Sequence, residues 1–185
     1  MYIRTEETPN PQTMKFLPDM PVSDGESAQF NAPHEAFRSP LAKELFLISE
    51  VTAVYVAPDF VSVTKAVAAD WSAVKIEVLT VIMDHLLSGK PALLPEDGAK
   101  EKSEDDGEEN PVIRQIKEII DTRVRPAVAM DGGDIIFRGF SDGIVRLEMR
   151  GACAGCPSSS VTLKNGVESM LKHYVPEVEG VEAVD

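Results

Sequence analysis

The sequence predicts two small α+β domains joined by an acidic, flexible linker. Three observations carry that expectation. In both halves, short runs rich in β-branched residues alternate with segments whose apolar residues recur at helical spacing. Helix candidates open on recognisable caps: Ser39-Pro40, Asp70 and Asn110-Pro111. Between the halves, residues 96–109 hold eight acids against two lysines, a net of −6 in a chain of formal net charge −13. That stretch has no aromatic and no β-branched residue, so it has nothing to bury and its like charges keep it solvated and extended. The expected division is 1–90, 91–110 and 111–185, and 185 residues suit two small domains.

In the first half, Tyr2–Glu6 and Met14–Leu17 read as strands joined through the turn-rich TPNPQT. Ser39 caps a short helix running through Leu41, Leu45 and Ile48. Val51–Val56 and Phe60–Val67 flank Ala57-Pro58-Asp59 and read as a hairpin. Asp70 caps a longer helix with Trp71, Val74, Val78, Leu79, Ile82 and Leu86 along one stripe; Gly89 ends it and Pro91 prevents its resumption.

In the second half, Ile113, Ile116, Ile120 and Val124 share a helix face. Asp131-Gly132-Gly133-Asp134 is a turn leading into the strand Ile135–Phe140, and Ser141-Asp142-Gly143 turns into a second strand, Ile144–Arg150. Val145, Leu147 and Met149 alternate there with Arg146, Glu148 and Arg150, so one face is buried and the other wet. A last helix starts at Pro157, its core face Leu163, Val167, Met170, Leu171 and Tyr174, and Val178–Val184 supplies an edge strand.

The chemistry lies between strand and helix, in Gly151-Ala152-Cys153-Ala154-Gly155-Cys156-Pro157. Cys153 and Cys156 are the chain's two cysteines. The residues around them carry almost no bulk, so a multi-atom ligand can approach the backbone. The helix N-terminus that follows favours thiolate, the form that binds metal and attacks disulfides. Iron–sulfur ligation, zinc binding and thiol–disulfide exchange all fit this geometry. A closed zinc site wants four ligands. The three histidines are His34 and His85, across the linker, and His173, near the far end of the last helix. Zinc shared between two chains stays open. A thioredoxin-like scaffold places a βαβ unit ahead of its Cys-x-x-Cys helix, whereas a hairpin precedes this one. Iron–sulfur clusters take four thiolates as a rule, and two chains meeting across the loop would supply them.

MDGGDIIFRGF and GIVRLEMRGACAGCPSSSVTLKNGVE resemble the NifU C-terminal domain of iron–sulfur cluster carriers. TPNPQTMKFLP, SPLAKELF and VTAVYVAPDFVSVTK are similar to the N-terminal domain of Nfu-type scaffold proteins. The resemblance implies a 4Fe–4S carrier, not an enzyme, that receives a cluster from an assembly scaffold and hands it to apo-proteins. It implies Cys153 and Cys156 as the ligands and a homodimer when loaded. Asp131, Gly132, Gly133 and Asp134 either floor the cluster or merely turn the chain. Arg150 either offsets cluster charge or is an ordinary wet-face residue, and Ser158–Ser160 either hydrogen-bond cluster sulfurs or simply open the helix. The cysteine loop is expected to add little to the core, leaving the apo fold indifferent to cysteine replacement.

A net charge of −13 repels phosphate backbones and anionic lipid surfaces, so neither nucleic acid nor membrane is an expected partner. No apolar run reaches the roughly 18 residues of a membrane span. The first residues resemble neither a secretory signal nor a transit peptide, which points to the cytoplasm; the resemblance, to a family with bacterial and mitochondrial members, implies a bacterial cytoplasmic protein or an already processed form.

Overall fold

The computed structural model describes residues 1–95, 110–154 and 157–184. The acidic stretch 96–109, together with Gly155, Cys156 and Asp185, lies outside the described residues. The chain divides into two compact units, Met1–Gly98 and Ala99–Asp185, and each has its own core.

The first unit is built on β1 (Ile3–Glu7), β2 (Thr13–Pro18), β3 (Ala28–Phe30), β4 (Val51–Val56) and β5 (Val61–Lys65). They form one antiparallel sheet in the order β1-β2-β5-β4-β3. The register aligns Met14, Val63, Val54 and Phe30 in one row and Phe16, Val61, Val56 and Ala28 in the next. Both rows are buried on one face. Against that face lie α1 (Pro40–Leu45) and α2 (Trp71–Leu87), through Leu41, Leu45, Val74, Val78, Ile82 and Leu86. Each such side chain contributes about 1.5–3 kcal/mol by leaving water. The caps act as expected: Ser39 Oγ accepts from Ala42 N at 3.0 Å and Asp70 Oδ1 from Ser72 N at 2.7 Å. α1 ends at Leu45, before Ile48, and β5 ends at Lys65, leaving Val67 exposed.

Two features of this unit were not anticipated. Pro33–Arg38 forms a 3₁₀ turn between β3 and α1. Residues 91–94, which the expected division gives to the linker, are strapped onto the unit. Ser39 Oγ donates to Ala92 O at 2.7 Å, Leu94 N donates to Arg38 O at 2.7 Å, and Ala92 and Leu93 are buried. His85, fully buried, lies at the root of the strap. Its Nδ1 is 2.9 Å from Glu44 Oε2 and its Nε2 is 3.3 Å from Pro91 O, an acceptor at each nitrogen.

The second unit opens with α3 (Pro111–Ile119), whose cap Asn110 Oδ1 accepts from Val112 N at 3.0 Å. A π turn, Ile120–Val124, carries the helix into α4 (Arg125–Met130). Pro126 explains it: proline has no N–H to donate, and its ring would strike the carbonyl four residues back. In the widened turn Arg125 N bonds to Ile120 O instead. Ile116, Ile120, Val124 and Val128 stand four apart, a spacing that drifts about 40° per step from a regular helix. One π turn absorbs that drift, and all four are buried.

β6 (Gly133–Ser141) and β7 (Ile144–Gly151) form the expected hairpin. Its two turn residues, Asp142 and Gly143, have φ of 52° and 75°, the paired left-handed conformations of a tight hairpin turn. α5 (Pro157–Tyr174) then crosses over so that β8 (Gly180–Val184) joins β7 in parallel, in the order β6-β7-β8. Ile135, Val145, Leu147, Val167, Leu171 and Val181 form the core with the α3–α4 face. Tyr174, expected in that core, is 39% exposed instead. It stands at the last turn of α5 with the Arg123 guanidinium 4.7 Å from its ring centre.

Candidate metal centre

The β6–β7 register ends with Gly133 opposite Gly151, which brings the Asp131–Asp134 turn beneath the start of the cysteine loop. Ala152 N donates to Gly132 O at 3.1 Å and Ala154 N to Gly151 O at 3.1 Å, closing a tight turn around Cys153. Cys153 is 6% exposed and belongs to the core of the second unit, alongside a buried Ala152. The loop therefore does contribute to the core, against expectation. A thiol is small and weakly polar, so it packs as a hydrophobe unless something draws it out.

The two glycines of the turn have different reasons. Gly132, with φ of 78°, makes the turn. Gly133 is a matter of space: a Cβ there would lie 2.5 Å from Cys153 Sγ, 2.8 Å from Arg150 O and 3.2 Å from Cys153 Cβ. Gly133 is thus the floor on which the thiol rests. The last residue of the turn, Asp134, is buried and its carboxylate is paired with Arg125 of the helix.

Arg150 is spoken for. Its Nε donates to Glu148 Oε1 at 2.7 Å, and Glu148 Oε2 accepts from Arg138 Nε at 2.6 Å. Burial pushes the Glu148 carboxyl up, but the bonds from Arg150 and Arg138 outweigh it and hold the group below its ordinary range. Arg150 is therefore an ion-paired strand residue. Cys156 and the side chains of Ser158–Ser160 lie outside the described residues. Among the described residues no three His, Cys, Asp or Glu side chains converge as a metal site. His85 is engaged in the first unit, and His173 sits edge-on to Tyr174 at 4.9 Å near the end of α5. Nothing in the spacing of the sequence revealed the thiol's burial or the Arg125–Asp134 pair. Pro126 inside a helical pattern and the doubled glycine were the available signals.

A buried thiol on a glycine floor, at a strand-to-helix junction of the second of two α+β units, is the geometry to set beside known proteins. Residues 3–89 match the family described as scaffold protein Nfu/NifU N terminal, and residues 116–182 match the NifU-like domain. The chain belongs to the Nfu family of iron–sulfur cluster scaffold homologues. It is similar to the human "NFU1 iron-sulfur cluster scaffold homolog, mitochondrial", with 48% identity over 185 residues, covering 100% of this chain and 72% of the human protein. The protein of the same name from Drosophila ananassae is 49% identical over 187 residues, covering 100% of this chain and 64% of that one. The chain thus spans about two thirds of its relatives' length. A solution structure of a NifU-like protein from Saccharomyces cerevisiae shares 26% identity at a TM-score of 0.46, covering 50% of this chain and 84% of that one. Among the described residues no helix is long and apolar enough to cross a membrane.

Proposed function

We propose that the chain carries a 4Fe–4S cluster as cargo between two copies of itself and passes it to apo-proteins. On this reading it is a binding and transfer protein, not an enzyme. The observation that carries the proposal is the Gly133 floor under Cys153, which leaves Sγ room that any side chain at 133 would take. Cys153 and Cys156 of each chain are the ligands. Four thiolates from two chains satisfy the usual cluster, and the first-turn amides of α5 favour the anionic sulfur. Loading turns Cys153 out of the core, since a ligand must reach a metal beyond its own domain's packing. Release follows the same design: each chain holds the cluster by two bonds, which an acceptor's thiols replace one at a time.

Partners of this chemistry are a cluster-donating scaffold and apo iron–sulfur clients, with a homodimer as the loaded form. The net charge of −13 disfavours nucleic acid and anionic membranes. The first unit presents the surface for donors, acceptors or the chain's own second unit, and the acidic stretch 96–109 joining the two raises the effective concentration of one near the other. The thiols require a reducing compartment. We place the chain in the cytoplasm, while the relatives' names carry "mitochondrial".

The test is anaerobic reconstitution with iron and sulfide, followed by transfer to an apo 4Fe–4S protein in the presence of a chelator. The proposal predicts about two irons and two sulfides per chain, lost in Cys153→Ala and in Cys156→Ala, and chelator-resistant activation of the acceptor. A colourless chain that reduces protein disulfides would replace it with an oxidoreductase. A chain that takes up zinc alone would replace it with a structural dimer.

A further inference from the structure

Asp134, the second residue of β6, has its carboxylate buried, the side chain 9% exposed. Arg125 meets it from α4 with both prongs: Nε donates to Oδ1 at 2.9 Å and Nη2 to Oδ2 at 2.9 Å. Oδ1 also accepts from Ile135 N at 2.8 Å, so the same carboxylate is tied to the strand and to the helix. A third prong, Nη1, reaches Asp121 Oδ1 at 3.3 Å. Planar guanidinium on planar carboxylate fixes orientation as well as distance, which a lysine cannot reproduce.

The position of this fastener gives it a consequence. Arg125 is the residue whose amide closes the π turn, just ahead of Pro126. Asp134 directly follows Gly133, on which Cys153 Sγ rests, and pairs in register with Arg150, directly before the cysteine loop. Moving Asp134 therefore moves the floor and the wall of the thiol's pocket together. We propose that Arg125 and Asp134 are positioning residues for Cys153: their pairing holds Gly133 beneath the thiol, keeps the 151–154 turn closed in the metal-free chain, and sets how readily Cys153 turns out to meet a cluster. The second half of this inference rests on the cluster-carrier reading; the first half does not.

The experiment uses the full apo chain. Cys153 alkylation by iodoacetamide is timed under native conditions and assigned by fragment-ion mass spectrometry, in wild type, Arg125→Lys and Asp134→Asn. Leu171 amide exchange serves as a probe of the rest of the core, on α5. Loss of a two-pronged charge-assisted pair is expected to speed Cys153 alkylation about tenfold, with Leu171 exchange changed much less. Cluster uptake from iron and sulfide accelerates in the same order. An unchanged alkylation rate in a folded variant overturns the inference. So does a rise matched by equal acceleration at Leu171, which would make the pair a general brace. Should Arg125→Lys fail to fold, Asp134→Asn decides by the same two readouts. A wild-type chain that takes up no cluster removes the carrier reading, while the alkylation rates still judge the positioning role.

Discussion

Replacing Gly133 with alanine adds one methyl group where there is no room for it. The new Cβ would lie 2.5 Å from Cys153 Sγ and 2.8 Å from Arg150 O. The sulfur can give way by rotating outward, but the carbonyl belongs to the strand paired with β6 and moves only with the ladder. Overpacking of this kind costs about 1–3 kcal/mol. A unit of this size loses roughly 4–8 °C of melting temperature per kcal/mol, so the transition falls by about 5–20 °C. The chain's single tryptophan, Trp71, lies on α2 of the first unit. Its fluorescence reports that unit alone, while circular dichroism reports both. The expected result is a lowered dichroism transition with an unmoved fluorescence transition. Cys153→Ala in the same chain removes one of the two clashes, so the double variant is expected to be more stable than the summed losses by about 0.5–1 kcal/mol or more. Strict additivity, or a Gly133→Ala chain that melts like wild type, would refute the floor.

Three further outcomes are expected of the same fold. Cys153→Ala alone leaves the apo chain folded but less stable by about 1 kcal/mol, because a buried sulfur is lost from the core; an unchanged dichroism melt would contradict its packing. Glu148 has its folded-state carboxyl held below the ordinary range, so it stabilises the fold above its unfolded value of 4.5 and loses that contribution as pH falls below it. Glu148→Gln should therefore flatten the acid limb of the stability–pH curve below about pH 4.5, and a limb identical to wild type would remove the Arg138–Glu148–Arg150 network from the account. His85→Leu removes the ring's bond to the Pro91 carbonyl and releases the strap, lowering the first unit's stability by about 1–3 kcal/mol, while Glu44 keeps Lys90 as a partner; a urea midpoint by Trp71 fluorescence equal to wild type would show the strap to be idle.

What was legible in the sequence was local chemistry. Ser39, Asp70 and Asn110 announce helix starts because a cap needs only its own side chain and an amide two or three residues on. Asp142-Gly143 announces its hairpin because few other residues accept two successive left-handed conformations. What stayed hidden depends on distant partners. Residues 91–94 look like the start of a linker until Ser39, Arg38 and His85 are seen to hold them. Tyr174 falls on the helical stripe of α5, yet its ring meets Arg123 and His173 and stays partly exposed. Pro126 implies a helix break by itself, and only the continued packing of Val124 and Val128 turns that break into a π turn. In the candidate site, the spacing of Cys153 and Cys156 indicated the chemistry. The direction of the Cys153 thiol, inward onto Gly133, is a tertiary fact that spacing cannot carry.

The central claim is that each chain supplies half of a coordination sphere. Sedimentation velocity of the reconstituted protein, followed by the absorbance of the cluster itself, tests it most directly. The account predicts that all cluster absorbance moves with a particle of two chains, and that removing the metal returns single chains. Cluster absorbance travelling with a single chain would contradict it.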